Sequence, residues 1–264
     1  MRKKKKIFKT SKVLEDAVWI TGCARSGTTI LGKIISSLKN IEYAYEPETL
    51  FYLLPLISKI KKKYWQEIYS KYMIEEIFFN LCVGRKINLK KNDQSSIYNF
   101  LSKTDIEKKL NLNLRRKDLE KYLSKNNKKL VIKIPDVLHS LVFLQKYYPK
   151  NKFIVIKRDK KAIMSSLIKK KWFSKKNFSP DIYKNENWID LKSYTKWIKL
   201  NENERASFYV DYINSSSNKI KNKLVVQYED LVRDPKKTVI KICKFLKLKK
   251  TKKTLDIIDQ IYIK

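Results

Sequence analysis

Apolar positions along the chain follow two different periods, and the switches between them predict the order of elements. Val18 to Ile20, Ile41 to Glu46, Leu130 to Ile134, the stretch KFIVIK and Leu224 to Tyr228 are short, mostly apolar runs. Runs of this length, bounded by turn residues, read as strands, and the continuous ones as strands buried on both faces. Between them, apolar residues recur every three or four positions: Ile30, Leu31, Ile34, Ile35 and Leu38; then Val137, Leu138, Leu141, Leu144 and Tyr148; then Ala162, Ile163, Met164 and Leu167. These predict helices from Thr28 to Leu38, after Pro135-Asp136, and from about Lys161 to Lys171. A further helix over 235–248 starts with Asp234 at its N-cap and Pro235 at its first position, a favoured helix start. Strands alternating with helices predict an α/β fold with a mostly parallel sheet and right-handed crossovers.

Two stretches break the alternation. Residues 50–126 and 172–222 carry helical spacing with little strand character, apart from loop signals at Asn92 to Ser96 and Asn126-Asn127. They predict helical insertions into a single domain spanning 1–264, shaping a pocket beside the sheet. Trp188, Leu191, Tyr194, Trp197 and Ile198 share one helical face and read as core. The lysine-rich, then partly apolar segment 249–264 has no predicted place.

The most informative stretch is VWITGCARSGTTILGKIISSL, at 18–38. A strand, a tight turn from Gly22 to Gly27 and a helix N-terminus together form an anion site. The first N–H groups of a helix lack intrahelical partners, and the helix dipole adds positive charge there. The two glycines have the spacing of a nucleotide-triphosphate loop, but Thr28 and Thr29 follow where Lys and Ser or Thr belong. Positive charge sits instead at Arg25. This composition suits a single phosphate-like group over a hydroxyl-rich floor.

Glu46 and Glu48 flank Pro47 at the C-terminal end of the second predicted strand. Ligand crevices of open α/β sheets lie at the carboxyl ends of strands, so both are candidate acid–base groups. Glu48 also suits a first helical turn; Glu46 precedes the proline and is the favoured chemical group. The single histidine, His139, falls within a predicted helix and is the third candidate.

Composition narrows the function classes. Hydrophobic content of 43% and aromatic content of 12% rule out general disorder. The formal charge of +35 invites a nucleic-acid reading, but only eight of the 61 basic residues are arginine. Base and phosphate readers favour the bidentate arginine fork, so specific nucleic-acid binding is not expected. Three cysteines without disulfide or metal spacing, Cys23, Cys82 and Cys243, read as buried or incidental thiols of a reducing compartment. The basic run at 1–16 lacks a following apolar core and no 18-residue apolar span occurs. The expectation is a cytoplasmic protein with a solvated tail and at most peripheral membrane contact.

Several stretches together resemble the sulfotransferases that use 3′-phosphoadenosine-5′-phosphosulfate (PAPS). ARSGTT resembles that family's 5′-phosphosulfate loop, where PKSGTT is commoner. IVIKRDKKAIMSS resembles the 3′-phosphate motif, an arginine at a strand end and a serine on the next helix, here Arg158 and Ser166, with Ser165 as the adjacent alternative. VVQYEDLVRDPKKTVIKICKFLKL resembles the C-terminal YEDL…DP…FL segment. VIKIPDVLHSL resembles a KTP-type segment of bacterial members. The glycine- and lysine-rich C-terminal loop of cytosolic phenol-type members is absent, which points toward the bacterial and carbohydrate-type members.

The resemblance implies a P-loop-like three-layer fold and sulfuryl transfer from PAPS to an acceptor hydroxyl or amine, without a metal. It implies that Arg25, Ser26, Gly27, Thr28 and Thr29 hold the phosphosulfate end. Arg25 would also neutralise charge as the bond breaks. Arg158 and Ser166 would fix the 3′-phosphate, Tyr228 would lie near the adenine, and Lys133 would lie near the site. Cytosolic members use a histidine base and many bacterial and carbohydrate members a glutamate, which favours Glu46 here. A glycan, a glycolipid or a small metabolite would each fit as acceptor, and no oligomeric state follows. A P-loop kinase or NTPase and a non-enzymatic polyanion binder are the alternative classes.

Overall fold

The computed structural model describes residues 12–174 and 188–262. Most of the basic tail (1–11), part of the second insertion (175–187) and the last two residues lie outside the described residues.

Five strands form one sheet: β1 (Val18–Gly22), β2 (Ile41–Tyr45), β3 (Lys129–Lys133), β4 (Lys152–Lys157) and β5 (Lys223–Gln227). Their order is β2-β3-β1-β4-β5, and every pairing is parallel. The expected mostly parallel sheet is thus wholly parallel among the described residues. β1 lies at the centre, with Ile20 opposite Ile154 and Gly22 opposite Ile156.

Alternate strand residues feed two cores, as the two-residue period of a strand requires. Val18, Ile20, Val131, Ile154 and Ile156 pack with the Thr28–Ser36 helix and the C-terminal helices Pro235–Leu246 and Lys252–Tyr262. Trp19, Leu130, Ile132, Phe153 and Val155 pack on the other side. Their partners include the Lys62–Lys71, Leu138–Tyr147, Lys160–Lys169 and Glu202–Asn218 helices. This is a three-layer α/β sandwich. The 50–126 insertion is helical, including a wide π-helical turn at Tyr72–Phe78. From the aromatic stripe, Trp188, Tyr194 and Trp197 are buried, with Trp188 and Trp197 edge to face at 5.1 Å.

Several boundaries differ from the apolar pattern for local reasons. The Thr28–Ser36 helix stops two residues early because the Ser37 hydroxyl donates to Ile34 O (2.7 Å) and the chain turns. Tyr228 opens a helix, Tyr228–Arg233, instead of closing β5. The unplaced C-terminal segment forms the Lys252–Tyr262 helix, tied through hydroxyls to Ser37 at the end of the Thr28–Ser36 helix. Thr251 and Thr254 both donate to Ser37 O, at 2.7 and 2.9 Å.

One buried polar group fastens the first insertion to the sheet edge. Glu42 on β2, 2% exposed, accepts hydrogen bonds from Lys109 and from Lys128 (2.9 Å). An ionised carboxylate at that depth is tolerated because two ammonium groups pair with it.

The chain leaves β1 toward one face and β4, its neighbour, toward the other. This is the switch point of the sheet, where a crevice opens at the carboxyl ends of the strands.

Candidate active site

The loop after β1 lines that crevice. Gly27 (φ +100°) and Arg25 (φ +67°) are both left-handed, a conformation natural for glycine and uncommon for arginine. The first helical bond is Leu31 N–H to Gly27 O (3.2 Å), so the N–H groups of Thr28 and Thr29 precede the intrahelical ladder. Ser26 is fully buried and turned inward, its N–H and hydroxyl both donating to Cys23 O at 3.1 and 2.6 Å. It therefore shapes the turn, while Gly27 and Thr29 are half-buried and the Thr28 side chain is buried beneath the helix start.

Arg25 and Arg158 reach the same place from neighbouring strand ends. Arg158 Nη1 donates to Arg25 O (3.1 Å), and Arg25 Nε donates to Ser166 Oγ (3.0 Å). The sequence pairs Arg158 with Ser166; the structure joins both through Arg25. Ser165 is exposed, and Ser166 is the serine turned to the loop.

Tyr228 closes the far side. The Arg158 guanidinium lies 4.4 Å from the Tyr228 ring centroid, a cation–π distance. A Cβ on Gly27 would meet the ring edge of Tyr228 at 2.5 Å. Glycine is thus required at 27 by the ring as well as by the backbone. The neighbouring Glu229 accepts from Asp159 N–H (3.0 Å), and Asp159 caps the Lys160–Lys169 helix at Ala162 N–H (2.8 Å). The C-terminal YED segment thereby braces the strand end that carries Arg158.

On the other side of β1, Lys133 and Glu46 form an ion pair across the ends of β3 and β2. Lys133 is 1% exposed, reaches Thr29 Oγ1 at 3.5 Å and lies 4.5 Å from the Tyr45 ring centroid. Burial pushes its ammonium below the ordinary lysine value, and the Glu46 carboxylate opposes that shift. Glu48 stands exposed in the first turn of the Glu48–Leu53 helix. His139 is half-buried, edge-on to Phe143 at 6.2 Å. Of the three candidate bases, Glu46 is the one joined to the loop, through Lys133 and Thr29.

A model of the sulfotransferase family matches residues 17–252. The chain belongs to the sulfotransferase family. Solved structures similar to this sulfotransferase include the sulfotransferase domain of the olefin synthase of Synechococcus PCC 7002, at 18% identity and a TM-score of 0.48, covering 92% of this chain and 76% of that one. A sulfotransferase from Alicyclobacillus acidocaldarius matches at 12% identity and 0.43, covering 88% and 81%. A mouse sulfotransferase, SULT7A1, solved in complex with PAP, matches at 14% and 0.43, covering 96% and 69%. No curated protein matches the chain.

Sequence reasoning missed the residues beneath the sulfotransferase loop. Asp136 Oδ1 accepts from Ala24 N–H (2.8 Å) and from Tyr209 OH (2.6 Å). Burial pushes the Asp136 carboxyl up to about 6, against the pull of those two donors. Asp136 had a signal, since it follows a strand end as Glu46 does; Tyr209 lies within the helical 172–222 stretch and had none. The Cys23 thiol is buried beside Asp136 and pushed well up, and Cys82 is pushed up to about 12 by burial. Neither has the character of a reactive thiolate. No described helix is long and apolar enough to cross a membrane.

Proposed function

We propose that this enzyme moves a sulfuryl group from PAPS to a hydroxyl or amine of a glycan, glycolipid or small-molecule acceptor. The observation that carries this reading is the meeting of Arg25, Arg158 and Ser166 beside a helix start whose Thr28 and Thr29 N–H groups precede the intrahelical ladder. Two cationic side chains from different strand ends suit a ligand with two anionic ends, whereas a triphosphate loop places its lysine at the position of Thr28.

In this reading Gly27, Thr28, Thr29 and Arg25 hold the 5′-phosphosulfate and Ser26 keeps the turn in shape. Arg158 and Ser166 hold the 3′-phosphate and Tyr228 stands beside the adenine. Bound PAPS supplies a sulfuryl group activated on a phosphate. Glu46 takes the acceptor proton as the acceptor atom bonds to sulfur. The bond from sulfur to the bridging oxygen breaks, and the phosphate leaves with the electron pair. Arg25 offsets the charge that grows on that oxygen. Lys133 orients the Glu46 carboxylate, and most of the rate comes from positioning and electrostatics.

A cavity of about 270 Å³ lined by Tyr45, Pro47, Glu48, Thr49 and Tyr72 lies next to Glu46. It shares Tyr45, Leu81 and Lys86 with a second cavity of about 480 Å³. This space supports entry of the acceptor along the edge of β2, under the first insertion. The proposal includes action in the cytoplasm, on an acceptor exported afterwards, and no specific nucleic-acid partner.

Calorimetric titration with adenosine 3′,5′-bisphosphate and, separately, with ATP and magnesium tests the donor. Binding of the bisphosphate without magnesium is expected. A preference for magnesium-ATP would overturn the proposal in favour of a kinase or NTPase.

A further inference from the structure

Every N–H of the loop that is spent on the protein is unavailable to a ligand, and one of them is spent across the fold. Ala24 N–H points at Asp136 Oδ1 (2.8 Å) and Tyr209 OH (3.2 Å). The Tyr209 hydroxyl donates to the same carboxylate oxygen at 2.6 Å. Asp136 also grips the loop from its main chain, its N–H donating to Gly22 O (3.0 Å). One residue thus holds both the start of the loop and its third position. Asp136 does so from a left-handed backbone (φ +64°) directly after Pro135. Asp and Asn tolerate that conformation better than most side chains. Tyr209 comes from the middle of the Glu202–Asn218 helix, in the second insertion, and is fixed by its rings' neighbours Phe173 and Trp188 at 5.5 and 5.0 Å.

We propose that Asp136 is a positioning residue for the anion loop, acting with Tyr209 as a clamp. It turns Ala24 N–H inward and so fixes the direction of the N–H groups from Gly27 onward. The clamp does not touch the ligand. Its chemistry is that of an acceptor oxygen shared by two donors: without it the Tyr209 hydroxyl loses this acceptor and Ala24 N–H keeps only its longer bond to Tyr209 OH. The clamp also makes the second insertion part of the donor site, since Tyr209 belongs to it. The inference rests on the PAPS reading for the identity of the ligand and on the hydrogen bonds alone for the clamp.

The test uses the full chain with Asp136→Asn, Asp136→Ala and Tyr209→Phe. Asparagine keeps the acceptor oxygen and the tolerated backbone; alanine removes the oxygen; phenylalanine removes one donor and leaves Asp136 in place. The probes are adenosine 3′,5′-bisphosphate and adenosine 3′-monophosphate, which lacks the phosphate that the loop would hold. Asp136→Ala is expected to weaken the bisphosphate by roughly tenfold or more. The 3′-monophosphate should keep its affinity, Asp136→Asn should restore the wild-type value, and Tyr209→Phe should fall between. Equal losses for both nucleotides, or no loss for either, would overturn the clamp.

Amide hydrogen exchange on the ligand-free chain decides the same point independently of the donor. Faster exchange at residues 22–29 in Asp136→Ala, but not in Asp136→Asn, supports the clamp; unchanged exchange there overturns it. A wild type that binds neither nucleotide would refute the PAPS reading while leaving the exchange result to decide the clamp.

Discussion

Lys133 and Glu46 meet twice, once through their side chains and once through Glu46 N–H donating to Lys133 O (2.8 Å). The parallel register of β2 and β3, with Tyr45 opposite Lys133, brings them together. Lysine in a nearly fully buried strand end is costly unless paired. Glu46 supplies the pair, and Thr29 connects it to the loop. In the proposed mechanism this oriented carboxylate takes the proton of the incoming nucleophile.

Glu46→Gln should therefore separate chemistry from binding. Adenosine 3′,5′-bisphosphate affinity is expected to stay within about twofold, while turnover drops by ~10²-fold or more. The check is transfer of labelled sulfuryl groups to an acceptor found by screening. Unchanged turnover would move the base to Glu48 or His139.

Asp136 gives a stability signature with pH. Its folded carboxyl lies at about 6 against an ordinary value near 3.8, with Tyr209, Cys23, Lys133 and Glu46 as its titratable or charged neighbours. The folded state thus binds the proton more tightly than the unfolded chain, so stability falls as pH rises from about 4 to about 6 and then levels. Asp136→Asn removes that loss and should raise stability by roughly 1–3 kcal/mol at pH 7 to 8, with the gain vanishing toward pH 4. Thermal unfolding across that range checks it. A gain independent of pH would contradict the assignment.

Gly27→Ala should be damaging for two reasons. The added Cβ meets Tyr228, and the backbone is left-handed. The expected cost in stability is about 1–3 kcal/mol, with a clear fall in bisphosphate affinity. Gly84→Ala, at a left-handed turn outside the site, should lose stability without losing affinity. Equal affinity losses in both would show that the Gly27 contact has no special role.

Glu42→Ala leaves Lys109 and Lys128 facing each other at the sheet edge without their counter-ion. Breaking such a pair by removing one partner should destabilise by about 3 kcal/mol, read from urea unfolding. Bisphosphate binding at the other end of the strands should be retained. An effect within ±0.5 kcal/mol, usual for surface changes, would mean the pair is solvated.

The framework was legible because buried parallel strands write continuous apolar runs, as β1, β3 and β4 do, while the edge strands β2 and β5 lie where shorter or interrupted runs fall. The chemistry at strand ends was legible for the same reason: Arg158, Glu46 and the loop follow strands directly. Contacts made through the fold left no such trace. Nothing in the spacing of Arg25 and Ser166 announces their hydrogen bond, which depends on β4 lying beside β1. Tyr209 belongs to the 172–222 stretch, of which helical spacing shows only that it is helical, and its hydroxyl acts only because the Glu202–Asn218 helix packs behind the loop. The final helix went unplaced because its anchor is a hydroxyl cluster with Ser37, more than two hundred residues away, and periodicity carries no information about distance partners of that kind.

Arg158 tests most directly whether the crevice holds a ligand with two separate phosphate ends. Calorimetry would compare wild type with Arg158→Ala, using adenosine 3′,5′-bisphosphate and adenosine 5′-monophosphate, which lacks the 3′-phosphate. The expected result is tight bisphosphate binding by the wild type and a loss of roughly tenfold or more in the variant, with the monophosphate affected little. Absence of bisphosphate binding in the wild type, or equal binding by the variant, would contradict the account.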